Sequence, residues 1–189
     1  MESTLPLESW TNFYVIVGSA AGGLTGLTFV VIALVADAHA VRLTGLRAFI
    51  TPTVVHFCTT LGLSALINVP KLTALGLGIC LAVIGVIGLS YCVRTILHMR
   101  RMVSEYVPVV ADWIWNVLLP TLCYLLLLLL GWLAPASPIV TLYVVAAVAL
   151  LLLLIGIHNA WDIAVWFTAE RPQAQTVAAH EPPLTPPAP

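Results

Sequence analysis

The chain has 189 residues, 61% of them hydrophobic and only 8% charged, with a net charge of −1. Soluble domains carry about 25% charged residues, so these values exclude an ordinary soluble domain and predict a polytopic membrane protein. The absence of basic clusters argues against nucleic acid as a partner, and nearly all the length is needed for membrane spans, which leaves no room for a soluble catalytic domain.

The N-terminus, Met1 to Glu8, is acidic and lacks the basic region of a cleavable signal peptide. The first apolar run, Phe13 to Ala36, holds 24 residues without a charge, enough to cross a bilayer. Gly18, Gly22 and Gly26 fall four apart and make one small-residue ridge, with Leu24, Leu27, Val31 and Leu34 opposite. Small residues let helix backbones approach closely in lipid. The ridge therefore predicts a buried, central helix.

Four further runs read as helices: 48–69, 72–93, 113–133 and 139–157. Each is about the length a span requires. Pro70-Lys71 and Ala134 to Pro138 are tight turns, which predict antiparallel hairpins of spans two with three and four with five. Span three carries a second small-residue seam, Ala74, Gly78, Ala82 and Gly85, expected to pack on the ridge of span one. The leucine runs 125–130 and 150–154 read as lipid-facing.

With five spans the termini lie on opposite sides. One side receives Arg42, Arg47, Arg94, Arg100, Arg101 and Arg171, and the other only Lys71. That asymmetry places the N-terminus outside and the C-terminus inside. The six tryptophans all fall near predicted span ends, where amphipathic rings are favoured. Residues 1–169 thus form an all-α, five-helix transmembrane domain. Residues 170–189 hold six of the thirteen prolines and are expected to be a disordered cytoplasmic tail.

Two polar groups stand out. In span two, Thr53, His56, Thr60, Ser64 and Asn68 are spaced 3, 4, 4 and 4 and share one face. Such a stripe is costly against lipid and faces other helices or a wet cavity. His56 lies about 13 Å from Arg47 along the helix, near mid-membrane. A neighbouring hydroxyl, such as Thr25 or Thr28 of span one, is its expected partner, with a proton-relay, ion or ligand contact as the alternative. The second group lies at the inner side. His158 and Asp162 are four apart on one face, beside Asn159, with Asp112, Arg94 and His98 at the same depth. They are expected to form an inner-rim ion-pair network or a polar site. Two ligands on one helix are too few to predict a metal, and the four cysteines, with no CxxC spacing, read as buried thiols.

Four segments taken together resemble a family of small uncharacterised bacterial integral membrane proteins. They are Phe13 to Ala21, Thr51 to Cys58, Tyr106-Val107-Pro108 with Asp112-Trp113, and Gly156 to Asp162. The resemblance covers all five spans and implies a bacterial inner (plasma) membrane. It brings no catalytic residues or cofactor, but points to His56, Tyr106, Asp112, His158, Asn159 and Asp162.

The expected function is that of an integral membrane protein without covalent chemistry of its own. Its polar interior would pass or sense an ion, proton or small solute. The preferred function is expected of a homo-oligomer; an accessory or scaffold subunit, binding another membrane protein through the glycine ridge, is the alternative. A third reading is an intramembrane cofactor-binding protein or enzyme using His56, His98 and His158. The last pairs poorly, because His56 lies deeper than the other two and haem needs axial ligands facing one cavity.

Overall fold

A computed structural model describes residues 7–37, 43–102 and 110–180. Among them every regular element is helical. A 3-10 turn, Leu7–Trp10, leads into α1 (Thr11–Asp37), followed by α2 (Leu43–Ile67) and α3 (Ala74–Met102). A short α4 (Val110–Trp113) runs through a π-helical turn (Ile114–Leu118) into α5 (Leu119–Leu133), and α6 is Pro138–His180.

Among the described residues, four helical stretches are long and apolar enough to cross a membrane: Glu8–Ala33, Ala74–Leu97, Ile114–Leu133 and Pro138–Asp162. The chain is an all-α, multi-pass membrane protein by this measure. In the stretch expected as span two, the described apolar helix is Thr51–Ile67.

The helices alternate in direction. Gly18 meets Ser64 and Gly22 meets Leu61, so α1 and α2 are antiparallel. Phe57 meets Gly156 and Thr60 bonds to Ala149, so α2 and α6 are antiparallel. Gly78 meets Gly131 and Gly88 meets Tyr124, so α3 and α5 are antiparallel. α1 and α6 both begin at one aromatic cluster, where Trp10 and Tyr143 meet edge to face at 4.8 Å.

The packing order corrects three expectations. α1 is peripheral, not central; Val15, Ile16, Leu27, Phe29 and Val30 all stay exposed. The central helix is α6, which packs on α2 and α5 and buries Leu142, Val145, Ala149, Leu152 and Ile155 completely. A ridge of small residues permits close approach without compelling it, and of the three ridge glycines only Gly18 is closely covered by described residues. A Cβ on Gly26 would meet nothing within 4 Å. Second, α2 and α3 share a turn but only marginal contact, so the predicted hairpin pair does not pack. Third, the seam of α3 packs on α5, not on α1. A Cβ on Gly78 would lie 2.6 Å from the Gly131 carbonyl oxygen, and one on Gly85 2.6 Å from the Leu128 backbone nitrogen. Gly131 gives α5 a matching flat spot, which α1 does not bring to α3.

The leucine runs are likewise divided rather than wholly lipid-facing. Leu127, Leu130, Leu152 and Leu153 are buried, while Leu125, Leu129, Leu150 and Leu154 are exposed. A helix that is apolar all round must still turn one side to its neighbours. All four cysteines are free thiols, but only Cys92 and Cys123 are buried; Cys80 is partly exposed and Cys58 exposed.

Span four is not one uniform helix. The Leu119 N–H bonds to the Ile114 carbonyl, a wide turn placed directly before Pro120. Proline has no N–H and its ring crowds the carbonyl four residues back; a widened turn relieves both. α6 continues to His180, past the expected start of the tail at 170. Ala and Gln residues, good helix formers, dominate 173–179, and five of the tail's six prolines lie beyond His180. Residues 181–189 lie outside the described residues.

The turn after α2 has one left-handed residue, Lys71, at φ 55°. A side chain there costs about 1–2 kcal/mol, most of all when β-branched. Lys71→Gly is therefore expected to hold or slightly raise the melting temperature in detergent. Lys71→Val is expected to lower it.

Candidate functional site

The polar stripe of α2 is inside the bundle. Thr53, His56, Thr60 and Ser64 are all buried, His56 with only 1% of its surface exposed. Asn68, the fifth member, is exposed just beyond the helix end, where its Nδ2 donates to the Ser64 carbonyl at 2.8 Å. The Thr60 hydroxyl donates to the Ala149 carbonyl of α6 at 3.3 Å, a bond that ties the stripe to the central helix.

His56 does not pair with α1. Thr25 and Thr28 donate to their own helix, to the carbonyls of Ala21 and Leu24, both at 2.8 Å. Hydroxyls on a helix commonly satisfy themselves this way. The partner is Tyr124 of α5, whose Oη lies 3.0 Å from His56 Nδ1 and 3.2 Å from Thr59 Oγ1. Thr59 in turn donates to the Val55 carbonyl at 2.8 Å.

Two glycines create the room for this group. A Cβ on Gly88 would fall 2.0 Å from the Tyr124 ring, so the bare backbone of α3 makes room for that ring, which lies tilted 37° to the His56 ring with centroids 5.9 Å apart. A Cβ on Gly156 would fall 2.4 Å from the Phe57 ring, so α6 comes close to α2 one residue along. By the same register, Thr53 stands at the level of Asn159. The side chain of Asn159 is 5% exposed, and neither its Oδ1 nor its Nδ2 has a hydrogen-bond partner among the described residues. His56 Nε2 and Ser64 Oγ are also buried and unpartnered.

At the other group, His158 Nε2 and Asp162 Oδ2 lie 3.3 Å apart, as the spacing predicts. The pair sits at the rim, with the Asp162 side chain 60% exposed. The His158 ring stacks on Trp115 of the π turn, with centroids 3.9 Å apart and planes 30° apart. Arg94 is exposed. The side chains of His98 and Asp112, and all of Tyr106, lie outside the described residues. The two polar groups are separate places: one inside the bundle, the other at its edge.

Tyr124, Thr59 and Trp115 were not picked out by the sequence pattern. Tyr124 borders a leucine run, which hid it. One signal was present, because a tyrosine well inside a span must find a partner for its hydroxyl. Compared with protein-family models, with curated proteins and with solved structures, the chain matches none.

Proposed function

We propose that this is a five-crossing protein of a bacterial inner membrane, with its N-terminus outside and C-terminus inside. Its polar interior passes or senses a proton, ion or small solute, without covalent chemistry. The resemblance in Phe13 to Ala21, Thr51 to Cys58 and Gly156 to Asp162 supports the bacterial assignment. The alternating helix directions and the one-sided arginines support the count and orientation. At 25 residues, α2 is about 37 Å long, ample for a crossing despite its polar stripe.

One observation carries the functional reading. Three buried polar side chains on α2 and α6 keep unpartnered atoms: His56 Nε2, Ser64 Oγ and both amide atoms of Asn159. Buried polar groups in proteins are nearly always hydrogen-bonded, to protein or to water. A fold that needed only packing would use apolar residues here. Polar atoms held ready inside a membrane bundle suit a species that comes and goes.

The test is flux. Protein reconstituted in liposomes should raise permeability to at least one of protons, potassium or glycerol above that of empty vesicles. Permeability unchanged for all three would remove the reading. For topology, a reporter active only in the cytoplasm, fused after Pro189, should be active, and one active only outside should be silent. The reverse pattern would overturn the orientation.

A second reading has its own observation. Among the described residues, nothing lies within 4 Å of where a side chain would begin at Gly26, and the same holds at Gly23 beside the ridge, leaving that part of α1 open for another membrane protein or a second copy. Gly26→Leu should then reduce the oligomer mass measured in detergent. An unchanged mass would count against this contact.

A further inference from the structure

The directions of three hydrogen bonds decide which nitrogen of His56 carries the proton. The Thr59 hydroxyl has one proton, and its shortest bond, 2.8 Å to the Val55 carbonyl, takes it. A carbonyl can only accept. Thr59 Oγ1 can therefore only accept from Tyr124, 3.2 Å away, which uses the single phenolic proton. Tyr124 Oη must then accept from His56 Nδ1 at 3.0 Å. The chain runs from His56 Nδ1–H through Tyr124 and Thr59 to the Val55 carbonyl. It leaves Nε2 as a bare lone pair, buried and unpartnered.

We propose that His56 Nε2 is a proton-binding site, with Tyr124 as the positioning residue that holds the proton of the neutral ring on Nδ1. This rests on the reading of the polar interior as a passage or sensor, and it names the species as the proton. The hydrogen-bonded chain ends on a carbonyl, which has no proton to pass on. The proton therefore does not travel through Tyr124. It arrives at Nε2 from water, forms the imidazolium, and leaves from Nε2 to water, with Nδ1–H unchanged throughout.

A proton fits this site better than a metal ion. One nitrogen lone pair is a complete partner for a proton, whereas a metal needs three or four ligands. Among the described residues no three His, Cys, Asp or Glu side chains are grouped to supply them. The titratable groups on the surrounding helices are Tyr124 and Cys123 on α5, Tyr91 and Cys92 on α3, Tyr14 on α1, and His158 with Asp162 on α6. Only Tyr124 makes a hydrogen bond to the imidazole among them.

The experiment has two arms on the full chain in lipid. In the first, ¹⁵N-histidine NMR identifies His56 by the signals missing from His56→Asn. The neutral ring should show a protonated Nδ1 and a bare Nε2, and Tyr124→Phe should convert this to a mixture of tautomers. A proton on Nε2 in the native protein, or no change in Tyr124→Phe, would overturn the assignment.

In the second arm, proteoliposomes holding a pH-sensitive dye are given a pH gradient with the membrane potential clamped. His56→Asn keeps a donor near the Nδ1 position and deletes Nε2. It should bring proton flux down to the level of empty vesicles. If that variant does not fold, His56→Gln replaces it. Native proton flux that survives in the folded variant overturns the proposal and leaves the polar-interior reading standing. Native flux of potassium or glycerol without proton flux does the same. No native flux of any kind removes both.

Discussion

Gly85→Ala lowers the melting temperature of the detergent-solubilised protein sharply, whereas Gly26→Ala leaves it unchanged or raises it. Both substitutions add one methyl group to a helix, so propensity alone favours both by up to about 1 kcal/mol. The surroundings decide the sign. At Gly85 the new Cβ would lie 2.6 Å from the backbone nitrogen of Leu128 and 2.8 Å from its Cα. Backbone atoms cannot rotate aside, so α3 and α5 must separate and loosen the Gly78–Gly131 contact with them. Overpacking of this kind costs about 1–3 kcal/mol and outweighs the propensity gain. At Gly26 the Cβ meets nothing within 4 Å. Equal melting temperatures for the two variants would mean that α3 and α5 do not meet as described.

Tyr124→Phe lowers stability by about 1–3 kcal/mol, although it removes a single oxygen. The ring still fills the space that Gly88 leaves for it. What changes is that the His56 Nδ1–H loses its acceptor and Thr59 Oγ1 loses its donor, in a buried place without other partners for that N–H. Leaving a buried donor unmet costs more than the bond itself contributes. A double-mutant cycle isolates the pair. Tyr124→Phe combined with His56→Leu should cost less than the two single changes added together, with a coupling of about 0.5–3 kcal/mol. Strict additivity in thermal or chemical unfolding would show that the hydrogen bond has no energetic content.

The contrast between Gly26 and Gly85 also shows where sequence reading succeeds and where it stops. Both glycines sit in four-residue small-residue patterns in apolar helices, and nothing local distinguishes them. The difference arises from the partner: Gly131 and Leu128 come against α3, while among the described residues nothing lies within 4 Å of a Cβ on Gly26. The same holds for His56. Its burial was legible, because five polar residues on one helical face cannot all face lipid cheaply. Its partner was not, since Thr25, Thr28 and Tyr124 are all within the reach of some packing of five helices. Thr25 and Thr28 were removed from contention by bonds to their own backbone, a choice made at the level of side-chain geometry.

Composition and hydrophobic run length by themselves determined the class of this protein, the approximate helix positions, the turns at Pro70-Lys71 and Ala134 to Pro138, the shared face of the α2 stripe and the His158–Asp162 pair. These are local quantities, set by the transfer of apolar segments out of water and by the rise and period of one helix. Only the tertiary structure decided which helix is central, that α3 packs on α5, that Tyr124 meets His56, and that Trp115 covers His158. In an apolar chain the hydrophobic pattern says little about which helices pair, because lipid and neighbouring helices are nearly equivalent surroundings for leucine. Pairing is settled instead by shape, where one backbone leaves a space that one ring or another backbone fills, and shape belongs to two helices at once.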